Sequence, residues 1–194
     1  MNICIYGASS NKIKKIYIEK TEELGKLMAQ RGHTLVFGGG IGGMMGAAAR
    51  GMYENHGYII GVAPSFFNAD GILFPHSNEF IYTETMGERK RILFEKSEAF
   101  IVAPGGVGTF DEFFEVLTLK QLARHKKAIA LYNIDGYYDD MVKMLVKTAK
   151  QGFMSEASLE LFRVFDAPGI LLDWLEKYEA KEIRVEDMKN LPAK

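Results

Sequence analysis

A single cysteine, Cys4, stands in the whole chain, which excludes an internal disulfide framework and a multi-cysteine metal site. Its place in the apolar run Ile3-Cys4-Ile5 reads as a buried structural thiol. Neither sign of charge is in excess. The 24 Lys and Arg against 25 Asp and Glu leave a formal charge of −1, which argues against a nucleic-acid polymer as partner. The four histidines, at 33, 56, 76 and 125, show no i, i+4 pairing and no carboxylate grid around them, so no metal is expected. No apolar run reaches the length of a membrane span. Asn2–Tyr6 reads as a strand from the outset, with no basic stretch and no long apolar run before it. A cytoplasmic protein without membrane contact is the expectation. Ser9 and Ser10 lie in a loop that lacks the strained strand-to-helix context of a nucleophile elbow, which leaves a serine hydrolase unsupported.

What is present is ordinary globular composition over 194 residues, with 47% hydrophobic and 25% charged residues. That length fits one domain with a small appendage, read as a nucleotide-binding domain over 1–180 and a charged tail over 181–194. Strand and helix patterns alternate throughout. Strands are expected at Asn2–Tyr6, Thr34–Phe37, Tyr58–Val62, Ala99–Ala103, Ala128–Tyr132 and Phe162–Phe165. Helices are expected at about Ile16–Arg31, Met44–Glu54, from Thr83 or Thr85 to Glu98, Thr109–Arg124 and Tyr137–Lys150. A second helical stretch falls around Ser155–Leu161, and Pro168 opens a last helix to about residue 179. Residues 63–82 read as irregular, a connection of unusual length. The alternation predicts an α/β, Rossmann-like, doubly wound fold: a mainly parallel sheet with helices on both faces. Right-handed crossovers would gather three small-residue loops, 7–11, 38–43 and 104–108, at the carboxyl edge of that sheet.

The chain turns on Ala99–Val116. An apolar strand stops at Pro104, passes three glycines (105, 106 and 108) and opens a helix. Such a turn leaves backbone N–H groups unpaired ahead of a positive dipole end, a seat for a phosphate or carboxylate. It lacks the Gly-Lys-Ser/Thr ending of a P-loop, so a monophosphate suits it better than a triphosphate. Gly38-Gly39-Gly40-Ile41-Gly42-Gly43 matches the dinucleotide fingerprint, but it follows the second strand, and no acid ends the next strand to hold a ribose. Thr109-Phe110-Asp111-Glu112 has two readings. One is a capping box, Thr at the N-cap and Glu at N3. The other is a functional carboxylate beside an anion seat. Glu88-Arg89-Lys90-Arg91 likewise reads either as a solvated helix face or as placing the Arg89 guanidinium in the crevice. Met86, close to Arg89, is the apolar residue most readily set against a base, whereas Met44, Met45, Phe113 and Phe114 read as core.

Pro104-Gly-Gly-Val-Gly-Thr-Phe-Asp-Glu112 resembles the Pro-Gly-Gly-x-Gly-Thr-x-x-Glu signature of the LOG family, the cytokinin-activating phosphoribohydrolases long labelled lysine decarboxylase-like. Gly7-Ala-Ser-Ser10, Gly38-Gly-Gly-Ile-Gly-Gly-Met-Met-Gly46, Met86-Gly-Glu-Arg-Lys90 and Tyr132-Asn-Ile-Asp-Gly-Tyr-Tyr138 follow in the family's order. The chain departs from the family at Gly87, Val107 and Phe110-Asp111. The resemblance implies a homodimer that hydrolyses the N-glycosidic bond of a nucleoside 5′-monophosphate, either an N6-modified AMP of cytokinin type or AMP, without a cofactor. It implies a catalytic role for Arg89 and Glu112. Nucleotide binding would fall to Lys90, Gly105, Gly106, Val107, Gly108, Thr109 and Thr118. The alternatives are a non-hydrolytic nucleotide or cofactor carrier on the same fold, and a general nucleoside monophosphate nucleosidase. A lysine decarboxylase has no lysine in a recognisable pyridoxal-phosphate setting.

Overall fold

The structure is a computed structural model that describes residues 1–67 and 71–188. Seven strands form one sheet: β1 (Asn2–Tyr6), β2 (Thr34–Phe37), β3 (Tyr58–Pro64), β4 (Glu79–Thr83), β5 (Ala99–Val102), β6 (Ala128–Tyr132) and β7 (Arg163–Phe165). Their order is β4-β3-β2-β1-β5-β6-β7, and every pairing is parallel. A parallel sheet is covered on both faces, which is why β1, β5 and β6 read as nearly unbroken apolar runs.

The covering helices are α1 (Lys15–Gln30), α2 (Gly43–Glu54), α3 (Met86–Lys96), α4 (Val107–Gln121), α5 (Asp139–Lys150) and α6 (Pro168–Glu176), with a single turn α7 (Val185–Met188). Alternation along each strand splits the core in two. Ile3, Ile5, Ile101 and Ala130 pack with Leu24 and Met28 of α1, Met44 and Ala48 of α2, and Leu171 and Leu172 of α6. Cys4, Tyr6, Phe100, Val102 and Leu131 pack on the other side with Leu93 of α3, Phe113 and Val116 of α4, and Leu145 of α5. Cys4 is fully buried, and burial pushes its thiol up to about 12, so it is an inert packing residue.

Two expectations need correction. Residues 63–82 are not one irregular connection: β3 runs on to Pro64, a 3-10 turn follows at Ser65–Phe67, and Glu79–Thr83 is the parallel edge strand β4. Residues 68–70 of that stretch lie outside the described residues. The helix expected from Thr109 begins two residues earlier, at Val107, with Gly106 at its N-cap. Smaller differences are at ends: α3 stops at Lys96, α5 begins at Asp139 after a 3-10 turn at Ile134–Gly136, and α6 stops at Glu176. Pro168 sits in the first turn of α6 as expected. Residues 181–184 carry no regular structure, and Met188 of α7 is buried against the second core.

The topology fixes where a ligand crevice opens. β1 pairs with β2 on one side and β5 on the other, so the chain reverses its winding direction there, and the loops leaving β1 and β5 part to opposite faces.

Candidate active site

The three small-residue loops meet at that switch point and are tied together by backbone bonds. The Ala8 N–H donates to the Pro104 carbonyl at 3.1 Å, and the Met44 N–H donates to the Ala8 carbonyl at 2.8 Å. Asn11 Oδ1 accepts from the Gly43 N–H at 2.8 Å. A Cβ on Gly43, which has φ of +58°, would collide with the Ala8 carbonyl, and one on Gly42 would press on the Ser9 carbonyl. The glycines that imitate a dinucleotide fingerprint therefore serve loop-to-loop packing. This explains the match without a ribose acid.

The α4 N-terminus carries no side-chain cap. Thr109 is not at the N-cap; it is buried in the first turn, where its side chain fills the space a Cβ on Gly105 would need. The Glu112 carboxylate is turned away from the backbone toward Arg89. The capping-box reading is thus overturned, because the open glycines let the helix start earlier than the Thr-x-x-Glu spacing suggests. The first N–H groups of α4 have no intrahelical acceptor. Gly106 and Gly108 are exposed, and a Cβ on either would meet open space, so the approach to those N–H groups is clear. The outcome is an uncapped helix terminus facing the crevice.

Arg89 is buried, at 8% exposure, and reaches across the carboxyl edge of the sheet. Its Nε donates to the Val62 carbonyl at 3.2 Å, and its Nη1 donates to Glu112 Oε1 at 2.8 Å. Thr85 caps α3 and so sets the register that aims Arg89 inward: its Oγ1 accepts from the Glu88 N–H at 3.1 Å, and Glu88 Oε2 accepts from the Glu84 N–H at 3.0 Å. The solvated-face reading fails for Arg89 and holds for Arg91, which pairs with Glu95 at the surface. Burial drives the Glu112 carboxyl above the usual carboxylate range, and the Arg89 guanidinium opposes that shift without cancelling it. Glu112 lies five residues beyond the α4 start, about 7 Å along the helix axis. A carboxylate of raised basicity and a fixed guanidinium therefore stand within two turns of an uncapped helix terminus.

Known proteins resemble this chain in sequence and in fold. The family model described as "Possible lysine decarboxylase" matches residues 45–175, about two-thirds of the chain. A cytokinin riboside 5′-monophosphate phosphoribohydrolase of the LOG family from Arabidopsis thaliana is 33% identical over 181 residues, covering 92% of this chain and 84% of its own. The chain belongs to the LOG family. A second member, from Oryza sativa subsp. japonica, carries the same activity in its name and is 36% identical over 154 residues, 79% of this chain and 64% of its own. Among solved structures, the molybdenum cofactor carrier protein of Chlamydomonas reinhardtii superposes with a TM-score of 0.70 at 23% identity, covering 91% of this chain and 96% of that one. A molybdenum cofactor binding protein from Rippkaea orientalis gives 0.68 at 19% identity, covering 91% and 94%. At those identities the likeness shows the fold alone.

In this LOG-family chain the structure sets Arg89 against Glu112 on α4, the helix that the Gly105–Thr109 turn opens. Val107, at 84% exposure, and Met86, at 42%, are exposed on α4 and α3. Lys90 turns toward α4, where its ammonium meets Glu115 at 2.8 Å and Asp111 at 3.1 Å; those hydrogen bonds raise its pKa. Thr118 is exposed on α4, six residues beyond Glu112 and about 9 Å farther along the axis. Two residues escaped the sequence reading as site elements. The Tyr137 hydroxyl donates to the Gly105 carbonyl at 2.6 Å, and the Tyr138 hydroxyl donates to the Ala103 carbonyl at 2.7 Å. Both pin carbonyls of the loop that precedes α4. The consecutive tyrosines after the Asn133–Gly136 turn are the signal that pointed to them.

Proposed function

We propose that this protein hydrolyses the N-glycosidic bond of a nucleoside 5′-monophosphate, releasing the free base and ribose 5-phosphate. The observation that carries the reading is the largely buried Arg89–Glu112 pair about one and a half turns beyond an uncapped, glycine-opened helix N-terminus. The 5′-phosphate rests on the N–H groups of Val107, Gly108 and Thr109. The glycosidic bond breaks with its electron pair leaving on the base nitrogen, and positive charge builds on the ribose, as in glycoside hydrolysis. Glu112 faces that charge and accepts the proton of the water that adds to C1′. Arg89 holds the carboxylate in place and offsets the negative charge on the departing base, which then takes up a proton from solvent while Glu112 releases its own to solvent. A preorganised charge of this kind contributes about 3 kcal/mol in the transition state.

The substrate class, an N6-modified AMP or AMP, rests on the activity named for the relatives. A homodimer fits the exposed apolar side chains around the crevice, among them Phe66, Tyr82, Met86 and Val107, which another copy would cover.

Incubation with AMP and with N6-isopentenyl-AMP, followed by chromatography for free base and ribose 5-phosphate, tests the reading. Release of either base supports it. The alternative is a scaffold that binds without hydrolysing; saturable nucleotide binding with no base released over hours would establish that reading instead.

A further inference from the structure

At the far end of α4 from the anion seat lies a second cavity, of about 520 Å³, within the size range of small-molecule sites. It shares no lining residue with Gly105–Glu112. Phe162, Trp174, Tyr178, Ile183 and Met188 supply apolar and aromatic walls, and three glutamates and three cations besides Lys120 also line it.

The inner wall carries one cation. Lys120, at 2% exposure, donates to the Leu161 carbonyl at 2.8 Å and to the Tyr178 hydroxyl at 3.0 Å. Both acceptors are neutral, and no carboxylate among the described residues comes within ion-pair distance of it. A buried ammonium normally has an opposite charge beside it, because desolvation is otherwise uncompensated. A lysine ammonium has three donors, and two are used here.

We propose that this cavity binds a small carboxylate with a flat apolar body, the carboxylate pairing with Lys120 and the body lying against Trp174 and Tyr178. The missing counter-charge and the aromatic walls together select that chemistry: an acid head for the ammonium and a ring for the walls. Burial alone pushes the Lys120 ammonium down to about 8, and a bound anion would reverse that shift.

Trp174 is the only tryptophan in the chain, so its emission reports on this cavity directly. The full-length protein is titrated with 4-phenylbutyrate and, in parallel, with the neutral 4-phenylbutanol. The expected result is a saturable change in emission, with the acid bound at least about ten-fold more tightly than the alcohol, as a charge-assisted hydrogen bond implies. Lys120→Met should erase that preference, and saturating ribose 5-phosphate should leave the acid in place. Equal affinity for acid and alcohol, no saturable change, or displacement by ribose 5-phosphate would overturn the proposal. The acid–alcohol comparison in the wild-type protein decides the matter even where Lys120→Met fails to fold.

Discussion

Gly38, at the end of β2, leaves the space that the Arg89 guanidinium occupies: a Cβ there would overlap Nη2. Its backbone lies outside the left-handed region, so alanine is acceptable to the main chain and objectionable chiefly to Arg89, with the flexible Met45 Sδ also close at 3.1 Å. Gly38→Ala should therefore leave a folded protein with thermal stability lowered by about 1–3 kcal/mol. Turnover should fall roughly 10²-fold as the guanidinium leaves Glu112. Circular dichroism melts paired with base-release rates check both halves.

Tyr137 acts on the seat rather than the chemistry. Tyr137→Phe removes the bond to the Gly105 carbonyl, worth about 1 kcal/mol. The expected effect is a roughly five-fold rise in KM for a 5′-monophosphate with kcat little changed. Steady-state kinetics separate the two parameters. An effect confined to kcat would place Tyr137 elsewhere in the mechanism.

The alternation of strand and helix was legible because a parallel sheet buried on both faces makes short, unbroken apolar runs. β4 was not, because an edge strand need be apolar on one side only, and Tyr82 stands half exposed there. The glycine turn after Pro104 and the helix behind it were legible, but the helix was placed too late. Glycine reads as loop, and the Thr109-x-x-Glu112 spacing imitates a cap. Nothing local distinguishes a Glu that reaches back to its own helix from one drawn to an arginine twenty-three positions away. That choice belongs to the tertiary structure, which also turned Arg89 inward and left Arg91 at the surface.

The pH–rate profile should carry the signature of a buried carboxyl. Glu112 has its pKa raised by burial, and the proposed mechanism needs its ionised form. Turnover should therefore fall on the acid side at a pH above the usual carboxylate range. The same shift means that protonation is favoured in the folded state. Lowering the pH through that pKa relieves a desolvation penalty, so activity is lost there without unfolding. Unfolding melts across the same pH range check this; a profile flat down to the usual carboxylate range would contradict it.

His125 sets an acid limit of the opposite sign. Its Nε2 faces the Val116 carbonyl at 2.8 Å, and its Nδ1 accepts from the Lys127 N–H at 3.1 Å, so the neutral ring uses both nitrogens. Burial pushes the imidazolium down to about 4. The unfolded chain thus binds a proton that the folded chain refuses between the ordinary histidine value of about 6.5 and about 4. Stability should decline progressively as the pH falls through that window, and His125→Gln should flatten the decline. Denaturant titrations at several pH values measure it.

In the proposed reaction the Glu112 carboxylate, held by Arg89, performs chemistry beside a phosphate seat. Glu112→Gln keeps the size of the side chain and removes its charge. The most direct measurement is the rate of base release from AMP or N6-isopentenyl-AMP, whichever the wild-type protein turns over, by wild type and Glu112→Gln, with nucleotide affinity measured alongside. The expected result is a loss of about 10²-fold or more in rate, with the fold intact and the 5′-monophosphate still bound. Full activity in Glu112→Gln, with only a drop in thermal stability, would contradict it and leave the Arg89–Glu112 pair as structural support.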